Sequence, residues 1–443
     1  MFTSLPGFRE FYPEECAVQN YIFDKWRQLA LRFGFQEWNA PVLESLELFT
    51  EKSGEEIVQQ LFNFEDKGGR KVTLRPEMTP SLARLVAARA NAIRRPVKWF
   101  AIGENYRYEK QQRGRLRAFY QFNADILGEA SPAADAEIIA LCAEALRAFG
   151  LETQDFRVRL SDRTLWFLFL ESLGIPEQTA VPLLSVVDKL ERLPPEDLLK
   201  AAASALAGTA CDAGQVIESV RAFVAFDSLD KLEAFFASRS DTLGGKIRER
   251  LGEWRALLNI LGAMGLANFL SLDLTIVRGL AYYTGFVFEV FERSGDGRAL
   301  AGGGRYDALV KKLGGPDMPA VGFGMGDVTL ANLLKDKGLF PVYSAAVDFY
   351  AIVLAPECRP IALADVAALR HSGMRVEYSF KDGKFGKLIQ AAEQAGARHV
   401  LIYGPDEVAA GVVKIRNTQT RTEQLVPRTS LMEQLCAIKS TPT

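Results

Sequence analysis

The residue types best suited to ligand chemistry are concentrated between residues 277 and 307 of this 443-residue chain. Arg278 directly precedes Gly279, so its guanidinium can reach an anion where the backbone approaches a ligand closely. Tyr282 and Tyr283 follow, and on an extended segment they would face opposite ways, one into the core and one into a pocket. The run Ala-Gly-Gly-Gly-Arg-Tyr-Asp then covers residues 301–307. On these residues alone, a buried hairpin with a structural Arg remains an alternative.

A strand-to-helix turn at residues 74–80 offers a carboxylate and a hydroxyl. The residues before it, 61–75, alternate around a charged Gly-Gly turn and are predicted to form a hairpin. Glu77, on the turn that follows, is well placed to bind an amine. Thr79 precedes a proline, and it is either a ligand-binding residue or the N-cap of the helix predicted for residues 81–90.

Two further strands are predicted at residues 97–107 and 118–126, joined by a polar, basic loop. Arg107 ends the first of them. An arginine at this point is suited to phosphate or carboxylate, because both accept two parallel hydrogen bonds from a guanidinium.

The second of these strands carries Gln121, Asn123 and Asp125 on one face, because side chains alternate along a strand. Polar residues at three successive positions of one face, between apolar residues, indicate a lined polar pocket. A solvated sheet face is the alternative.

The octapeptide Arg-Gly-Leu-Ala-Tyr-Tyr-Thr-Gly at residues 278–285, followed by the glycine run at 301–307, closely resembles the two histidine-specific signatures of histidyl-tRNA synthetases. These are class II aminoacyl-tRNA ligases. The helix–strand unit at residues 14–44, the strand pair around Arg107 and the glycine strand at 319–326 resemble the three motifs of that class, in the same order. The resemblance covers nearly the whole chain. It implies ATP with Mg2+, L-histidine and tRNA(His) as ligands, and a homodimer.

The resemblance also implies a role for each matching residue. Arg107 and Arg278 would be catalytic, on either side of the α-phosphate as negative charge builds on it. Asp125, where members carry Glu or Asp, would accept the ring N–H of histidine, a contact that rejects isosteres lacking the donor. The residues implied to bind histidine are Glu77, Met78, Thr79, Arg107, Gln121, Asp125, Arg278, Tyr282, Tyr283 and Tyr306. Those implied to bind ATP are Arg107, Glu109, Arg113, Arg115, Arg278, Gly304 and Arg305.

The chain departs from the class pattern at Thr329. Families of this class place an Arg at this position, over the adenine ring and the γ-phosphate. Either the site lacks a cation here and the protein is a weak ligase or none, or another cation takes the role. The candidates are Arg305, beside the glycine run, and Arg113 or Arg115 in the basic loop. We favour compensation, because the other catalytic positions are filled.

Composition excludes several other classes of protein. The chain has two histidines and five scattered cysteines, so catalytic triads, His-ligated metals and disulfide frameworks are not expected. The formal net charge is −2, so any contact with RNA depends on local basic patches. No signal peptide or membrane-spanning apolar run is recognisable, which predicts a cytoplasmic protein with no membrane partner.

The predicted elements assemble into an α+β fold. Residues 1–340 are expected to form the class II catalytic core, built on an antiparallel sheet, with a helical insertion at about 164–270. Residues 346–443 alternate strands and helices and resemble the family's C-terminal α/β anticodon-binding domain.

The function predicted from these residues is ATP-dependent ligation of L-histidine to tRNA(His) through histidyl-adenylate. One alternative is a non-catalytic histidine-binding paralogue, such as the regulatory subunit of ATP phosphoribosyltransferase, which typically lacks the anticodon-binding domain. The other is an RNA-binding or stress-sensing module that uses the fold without chemistry.

Overall fold

The chain separates into two units, Met1–Phe340 and Pro341–Thr443. A computed structural model describes residues 2–50, 59–110, 112–190, 192–237, 243–277, 282–294, 298–341, 347–381 and 383–440. Within these ranges, the helices lack the combination of length and apolar character needed to cross a bilayer.

The described strands and helices of the first unit follow one another as a mixed α+β chain. The strands are β1 (Gln36–Glu37), β2 (Leu43–Ser45), β3 (Phe62–Glu65), β4 (Lys71–Leu74), β5 (Val97–Tyr106), β6 (Ala118–Leu127), β7 (Phe156–Asp162), β8 (Leu270–Leu272), β9 (Phe286–Glu292), β10 (Ala301–Arg305) and β11 (Ala320–Gly326). The helices are α1 (Pro13–Arg32), α2 (Glu47–Thr50), α3 (Thr79–Arg89), α4 (Pro132–Arg147), α5 (Arg163–Ser172), α6 (Glu177–Val187), α7 (Pro195–Ala205), α8 (Ala213–Val224), α9 (Leu229–Ala237), α10 (Gly244–Ala263), α11 (Leu309–Lys312) and α12 (Asp327–Asp336).

Eight of these strands form one sheet in the order β1-β5-β6-β11-β10-β9-β7-β8. The central pairs are antiparallel, and the two edge pairs, β1 with β5 and β7 with β8, are parallel. The predicted fold class, an α+β core on an antiparallel sheet, is confirmed. A parallel pair requires a crossover connection: helices α2 and α3 lie between β1 and β5, and helices α5 to α10 lie between β7 and β8.

One face of this sheet is apolar and is covered by α1 and α4. The Trp26 ring of α1 stacks on Phe122 of β6 at 5.5 Å between centroids, and Phe323 of β11 meets Phe122 edge-on at 5.3 Å. Both helices begin with proline at the first turn, where the missing N–H would have had no helical partner. Because strand side chains alternate, burying this face directs the polar residues of β6 to the other face.

A small sheet, ordered β2-β4-β3, precedes helix α3. The hairpin of β3 and β4 was predicted. The N-cap assignment of Thr79 was wrong, because Thr79 is already the first residue of α3 and Met78 is the cap position, with no side-chain capping bond. Thr79 therefore has no capping role that competes with ligand binding.

Helices α5 to α10 occupy the segment predicted to be a helical insertion, and they have an apolar core of their own. Phe169 of α5 and Phe223 of α8 stack at 4.0 Å within it. Asp162, at the end of β7, caps α5 and also accepts hydrogen bonds from Arg250 (2.6 Å) and Trp254 (2.7 Å) of α10. This buried carboxylate fixes the insertion to the sheet.

The second unit contains the strands β12 (Phe349–Val353), β13 (Val376–Tyr378), β14 (His399–Tyr403), β15 (Val412–Asn417) and β16 (Glu423–Pro427), and the helices α13 (Arg359–His371), α14 (Phe385–Gln394), α15 (Pro405–Ala409) and α16 (Leu431–Ser440). The strands form one sheet in the order β13-β12-β14-β15-β16. The first three pair in parallel, as the strand–helix alternation predicts, and the last two add antiparallel. Strand β16 and helix α16 were not predicted.

Candidate functional site

Glycines of β11 make room for the polar side chains of β6. The register places Gly322 opposite Asp125 and Gly324 opposite Asn123. A Cβ atom at Gly322 would lie 1.9 Å from Asp125 Oδ1, and one at Gly324 would lie 2.4 Å from Gln121 Nε2. The polar face of β6 is therefore covered rather than solvated, because its side chains lie across the neighbouring glycine strand.

A small space of about 60 Å3, the inner pocket, lies against these glycines. Glu77, Thr79, Arg107, Gln121, Asn123, Tyr282, Tyr283, Gly302, Tyr306, Gly322, Phe323 and Gly324 line it. Seven residues predicted to bind histidine are thus brought together from five separate segments of the chain. Their shared location supports the role assigned to them as a set.

Two buried tyrosine hydroxyls fix two buried carboxylates around the inner pocket. Tyr282 donates to Glu77 Oε2 at 2.7 Å, and Tyr306 donates to Asp125 Oδ1 at 2.6 Å. All four side chains are at most 3% exposed. Asp125 does not itself line the pocket but lies directly behind Tyr306 and Gly322, which do. Within the described residues its other oxygen, Oδ2, has no hydrogen-bond partner.

Burial changes the acidity of these groups. It raises the pKa of Asp125 to about 7, and the nearby charge of Glu77 raises it further, against the opposing effect of the Tyr306 hydrogen bond. Burial likewise raises the pKa of Tyr282 and of Tyr306 well above the ordinary value, so both remain neutral donors. One carboxyl group directly behind the pocket wall thus changes charge near neutral pH.

The amides of β5 and β6 complete the pocket wall. Asn105 donates to Gln121 Oε1 at 3.2 Å, which directs the Gln121 Nε2 group towards Gly324 and the pocket. Asn123 lines the pocket as well, and its buried Oδ1 has no partner among the described residues. The strand pattern placed Asn123 on this face, but the family resemblance did not select it as a ligand.

The two tyrosines of the first signature lie side by side at the inner pocket. Both Tyr282 and Tyr283 line the inner pocket, with ring centroids 5.4 Å apart and an edge-to-face arrangement. Tyr282 is also buried in an apolar cluster with Leu82 and Val310, whereas Tyr283 is only partly buried, so one of the two does face the core, although these residues lie in a turn before β9 and not on an extended strand. Arg278 and its neighbours 279–281 lie outside the described residues, so the role predicted for Arg278 remains a prediction.

Arg107 lies where the inner pocket opens into a larger space of about 870 Å3, the outer cleft, and it lines both. Its Nε donates to the carbonyl of Pro76 at 3.0 Å, and its guanidinium lies 5.3 Å from the ring centroid of Phe119. Within the described residues its terminal nitrogens make no hydrogen bond. They are therefore available to an anion at the junction of the two spaces.

The outer cleft is lined by several cations from different elements. They are Arg107, Arg115, Arg159, Arg192 and Arg298. The acidic residues along it are Glu109, Asp188 and Glu289. Arg115 forms an ion pair with Glu109, and this pair places two of the predicted ATP-binding residues on one wall. An excess of guanidinium groups in a single cleft favours a polyanionic ligand.

Besides Asp125, four of the predicted site residues that the structure describes line neither the inner pocket nor the outer cleft. Arg305 is buried, and its guanidinium pairs with Asp135 and Asp307 and also donates to main-chain carbonyls. It does not line the cleft, so its position does not support the predicted contact with ATP. A structural role follows, because removing one partner of a buried pair leaves an uncompensated charge.

Met78, Gly304 and Arg113 are the other three. Met78 is fully buried with its sulfur against Gly103, and it is not among the residues lining the inner pocket. The cleft is lined by the two preceding glycines of the run rather than by Gly304. The exposed Arg113 pairs with Asp336 of α12 at 2.7 Å, outside the residues that line the cleft. These three residues line neither the inner pocket nor the outer cleft, and their predicted ligand-binding roles stay predictions.

Thr329 lines the outer cleft at the start of α12. Its Cγ2 would lie 3.2 Å from a Cβ atom at Gly114 of the basic loop, and the Cδ of Arg298 would lie 3.5 Å from the same point. Arg298 was not predicted. The sequence signal for it was only its place in the connection between the two signature segments.

Among the described residues, no group of three or more His, Cys, Asp or Glu side chains is arranged to hold a metal ion. The carboxylates of Glu109 and Glu289 nevertheless line the outer cleft. Oxygen donors of this kind suit Mg2+ that arrives with the phosphates of its nucleotide and keeps most of its other ligands.

Comparison with known proteins gives matches over both units. The family model described as histidyl-tRNA synthetase matches residues 7–328, and the one described as anticodon binding domain matches residues 348–437. The first match includes every residue that lines the inner pocket and every residue that lines the outer cleft except Thr329.

Individual relatives agree with these matches. The chain is 54% identical over 428 residues to a histidine–tRNA ligase of Opitutus terrae, with 96% of each chain covered. It is 36% identical over 410 residues to the chloroplastic/mitochondrial histidine–tRNA ligase of Arabidopsis thaliana, covering 93% of this chain and 82% of that protein. The crystal structure of histidyl-tRNA synthetase from Nostoc sp. PCC 7120 superposes with a TM-score of 0.78 at 25% identity, and 99% of both chains is covered.

Proposed function

Because the chain belongs to the histidyl-tRNA synthetase family, we propose that it joins L-histidine to tRNA(His), with histidine in the inner pocket and ATP in the outer cleft. In the first step a carboxylate oxygen of histidine attacks the α-phosphorus of ATP. The bond to the β-phosphate breaks, giving histidyl-adenylate and pyrophosphate. In the second step the terminal ribose of the tRNA takes the histidyl group and AMP leaves. The observation that carries this proposal is that Arg107 lies at the junction of a carboxylate-containing pocket and an arginine-lined cleft.

Histidine is recognised at its two ends by different buried groups. Glu77, held by Tyr282, accepts from the α-ammonium group together with Thr79. The imidazole lies towards Tyr306 and Tyr283, and the Asp125 carboxylate behind Tyr306 sets the direction of hydrogen bonding. Buried polar groups left unpaired by an isostere without ring N–H would oppose its binding.

Catalysis of the first step rests on positioning and on charge neutralisation. Arg107 is held by Pro76 on one side and by the Phe119 ring on the other, so its terminal nitrogens meet the α-phosphate without reorganisation. Arg278 acts from the opposite side in this proposal. Mg2+ would bind the outer phosphates, with Glu109 or Glu289 as protein ligand, and would neutralise charge on the leaving pyrophosphate.

The remaining parts of the proposal concern partners. The second unit, which matches the anticodon-binding domain family, binds the anticodon of tRNA(His). The basic loop between β5 and β6 contacts the acceptor end. We also infer a homodimer that acts in the cytoplasm.

The non-catalytic paralogue that senses histidine is the second candidate. It would use the inner pocket alone and would need neither the arginines of the outer cleft nor the second unit. The match of residues 348–437 to the anticodon-binding family, and the position of Arg107, favour the ligase.

The decisive experiment is histidine-dependent exchange of labelled pyrophosphate into ATP, followed by charging of a tRNA(His) transcript. The ligase predicts exchange with histidine and little with the other amino acids, and charging of tRNA(His) alone. Tight histidine binding by calorimetry without exchange at saturating ATP would establish the sensor instead.

A further inference from the structure

Arg298 lies in the outer cleft at the point where the class pattern lacks a cation. It belongs to the connection between β9 and β10, and it lines the cleft with Thr329 and with Gly114 of the basic loop. The side chains of Arg298 and Thr329 both lie within 3.5 Å of a Cβ atom placed on Gly114. Arg298 is thus a neighbour of the very position that an arginine would have occupied.

The Arg298 guanidinium is held by a neutral group. It donates to the side-chain oxygen of Gln112, and it has no carboxylate partner among the described residues. Partial burial lowers its pKa, and the positive charge of Arg115 lowers it further, against a smaller effect of Glu109. Glu109 is itself paired with Arg115. Two guanidinium groups thus share one carboxylate, which leaves a net positive charge for an anion.

Local backbone and side-chain size keep this place open. Gly114 has φ +77°, a conformation that favours glycine, and a side chain there would meet both Arg298 and Thr329. The short Thr329 side chain, with its hydroxyl near the Gly326 carbonyl at 3.5 Å, leaves the space in front of Arg298 unfilled. An arginine at position 329 would compete with Arg298 for this space.

We propose that Arg298 binds the outer phosphates of ATP in place of the arginine that the class carries at the position of Thr329, with Gln112 as a positioning residue. This inference rests on the proposed function. Arg298 takes the place of Arg305 and Arg113 as the candidate for the missing cation, because the side chains of those two arginines pair with Asp135 and Asp336 outside the cleft. Arg115 is a weaker candidate for this role because Glu109 already neutralises it.

The test compares Arg298→Ala and Arg298→Lys with Arg293→Ala in the full-length protein. Arg293 lies in the same connection, is exposed and donates to the Thr153 carbonyl at 2.6 Å, away from the cleft. Loss of a charge-assisted contact should raise the KM for ATP and the KM for pyrophosphate in exchange by about 10–100-fold in Arg298→Ala. Lysine should restore part of this loss, and Arg293→Ala should behave as the unmodified protein.

Two further measurements separate the possible failures. Inhibition by AMP, which has no outer phosphates, and histidine binding by calorimetry should both stay within twofold in Arg298→Ala. A concurrent loss of AMP or histidine binding would overturn the inference in favour of a structural role. Unchanged KM values for ATP and pyrophosphate, with normal exchange in the unmodified protein, would overturn this inference and leave the proposed function intact. Absence of exchange in the unmodified protein would overturn the proposed function itself.

Discussion

The inner pocket and the outer cleft differ in how their charged groups are held. In the inner pocket, each buried carboxylate has a tyrosine hydroxyl on one oxygen: Tyr282 on Glu77 and Tyr306 on Asp125. Neutral donors fix the direction of each carboxylate without cancelling its charge. The pocket is therefore rigid and selective, and it is built before a ligand arrives.

The outer cleft instead carries cations with weak or shared partners. Arg107 has a carbonyl, Arg298 an amide and Arg115 the only carboxylate of the three. Arg107 and Arg298 in particular remain attractive to a polyanion, because among the described residues neither has a carboxylate partner. The comparison indicates that selectivity for the amino acid comes from hydrogen-bond geometry, whereas binding of the nucleotide comes from accumulated positive charge.

The largest expected effect comes from removing the arginine that the two regions share. Arg107→Ala should lower kcat/KM for pyrophosphate exchange by about 10²–10³ or more, because it removes a preorganised donor from the developing charge. Lysine should restore little, since it cannot make two parallel hydrogen bonds. Arg278→Ala is expected to behave in the same way, from its place in the signature sequence. Near-normal exchange in either variant would end its catalytic assignment.

A smaller effect, confined to the inner pocket, is expected for Asp125→Ala. Loss of the carboxylate leaves the Tyr306 hydroxyl without its acceptor. It should lower kcat/KM for histidine by a factor equivalent to roughly 2–3 kcal/mol. The KM for ATP should be almost unchanged. If kcat/KM for ATP and kcat/KM for histidine fall by the same factor, Asp125 supports the fold, and the inner pocket and the outer cleft do not act independently.

The raised pKa of Asp125 predicts that the free energy of unfolding of the ligand-free protein falls as the pH rises. The folded-state pKa is about 7 and the ordinary value is 3.8, so the folded protein binds this proton more tightly. The stability from this group is complete below about pH 4 and is lost as pH rises towards 7.

Asp125→Asn removes this titration. Between pH 5 and pH 8 the unmodified protein should therefore lose roughly 2–3 kcal/mol of unfolding free energy relative to the variant, measured by urea unfolding. A difference between the two proteins that is the same at both pH values would show that Asp125 keeps an ordinary pKa.

The smallest effect is expected for Tyr282→Phe. This change removes one hydroxyl from Glu77 and should raise the KM for histidine by about 5–10-fold, the value of one ordinary hydrogen bond, because Glu77 itself stays in place. Tyr106→Phe is the matched control, because Tyr106 donates to Glu104 at 2.7 Å and neither residue lines either space. An equal effect in both variants would contradict a specific role for Tyr282 in the pocket.

Several strands and the polar face of β6 were determined by the sequence alone. The strands β5, β6, β9 and β11 follow from their apolar and β-branched patterns, and the polar face of β6 follows from strand periodicity. The glycine-rich sequence of β11 indicates a strand that a ligand or another chain segment approaches closely, because glycine in a strand often marks such a site. The signature sequences then identified the family.

Only the tertiary structure decided which charged residues meet the ligand. Arg305 lies in a signature motif but turns towards Asp135, 170 positions earlier, whereas Arg298 lies in an unremarkable connection and enters the cleft. Tyr306 and Asp125 are 181 positions apart and become partners only when β6 and β11 pair beside β10. The reason is physical: a local pattern fixes the face on which a side chain lies, but the partner that it reaches depends on contacts between segments distant in sequence.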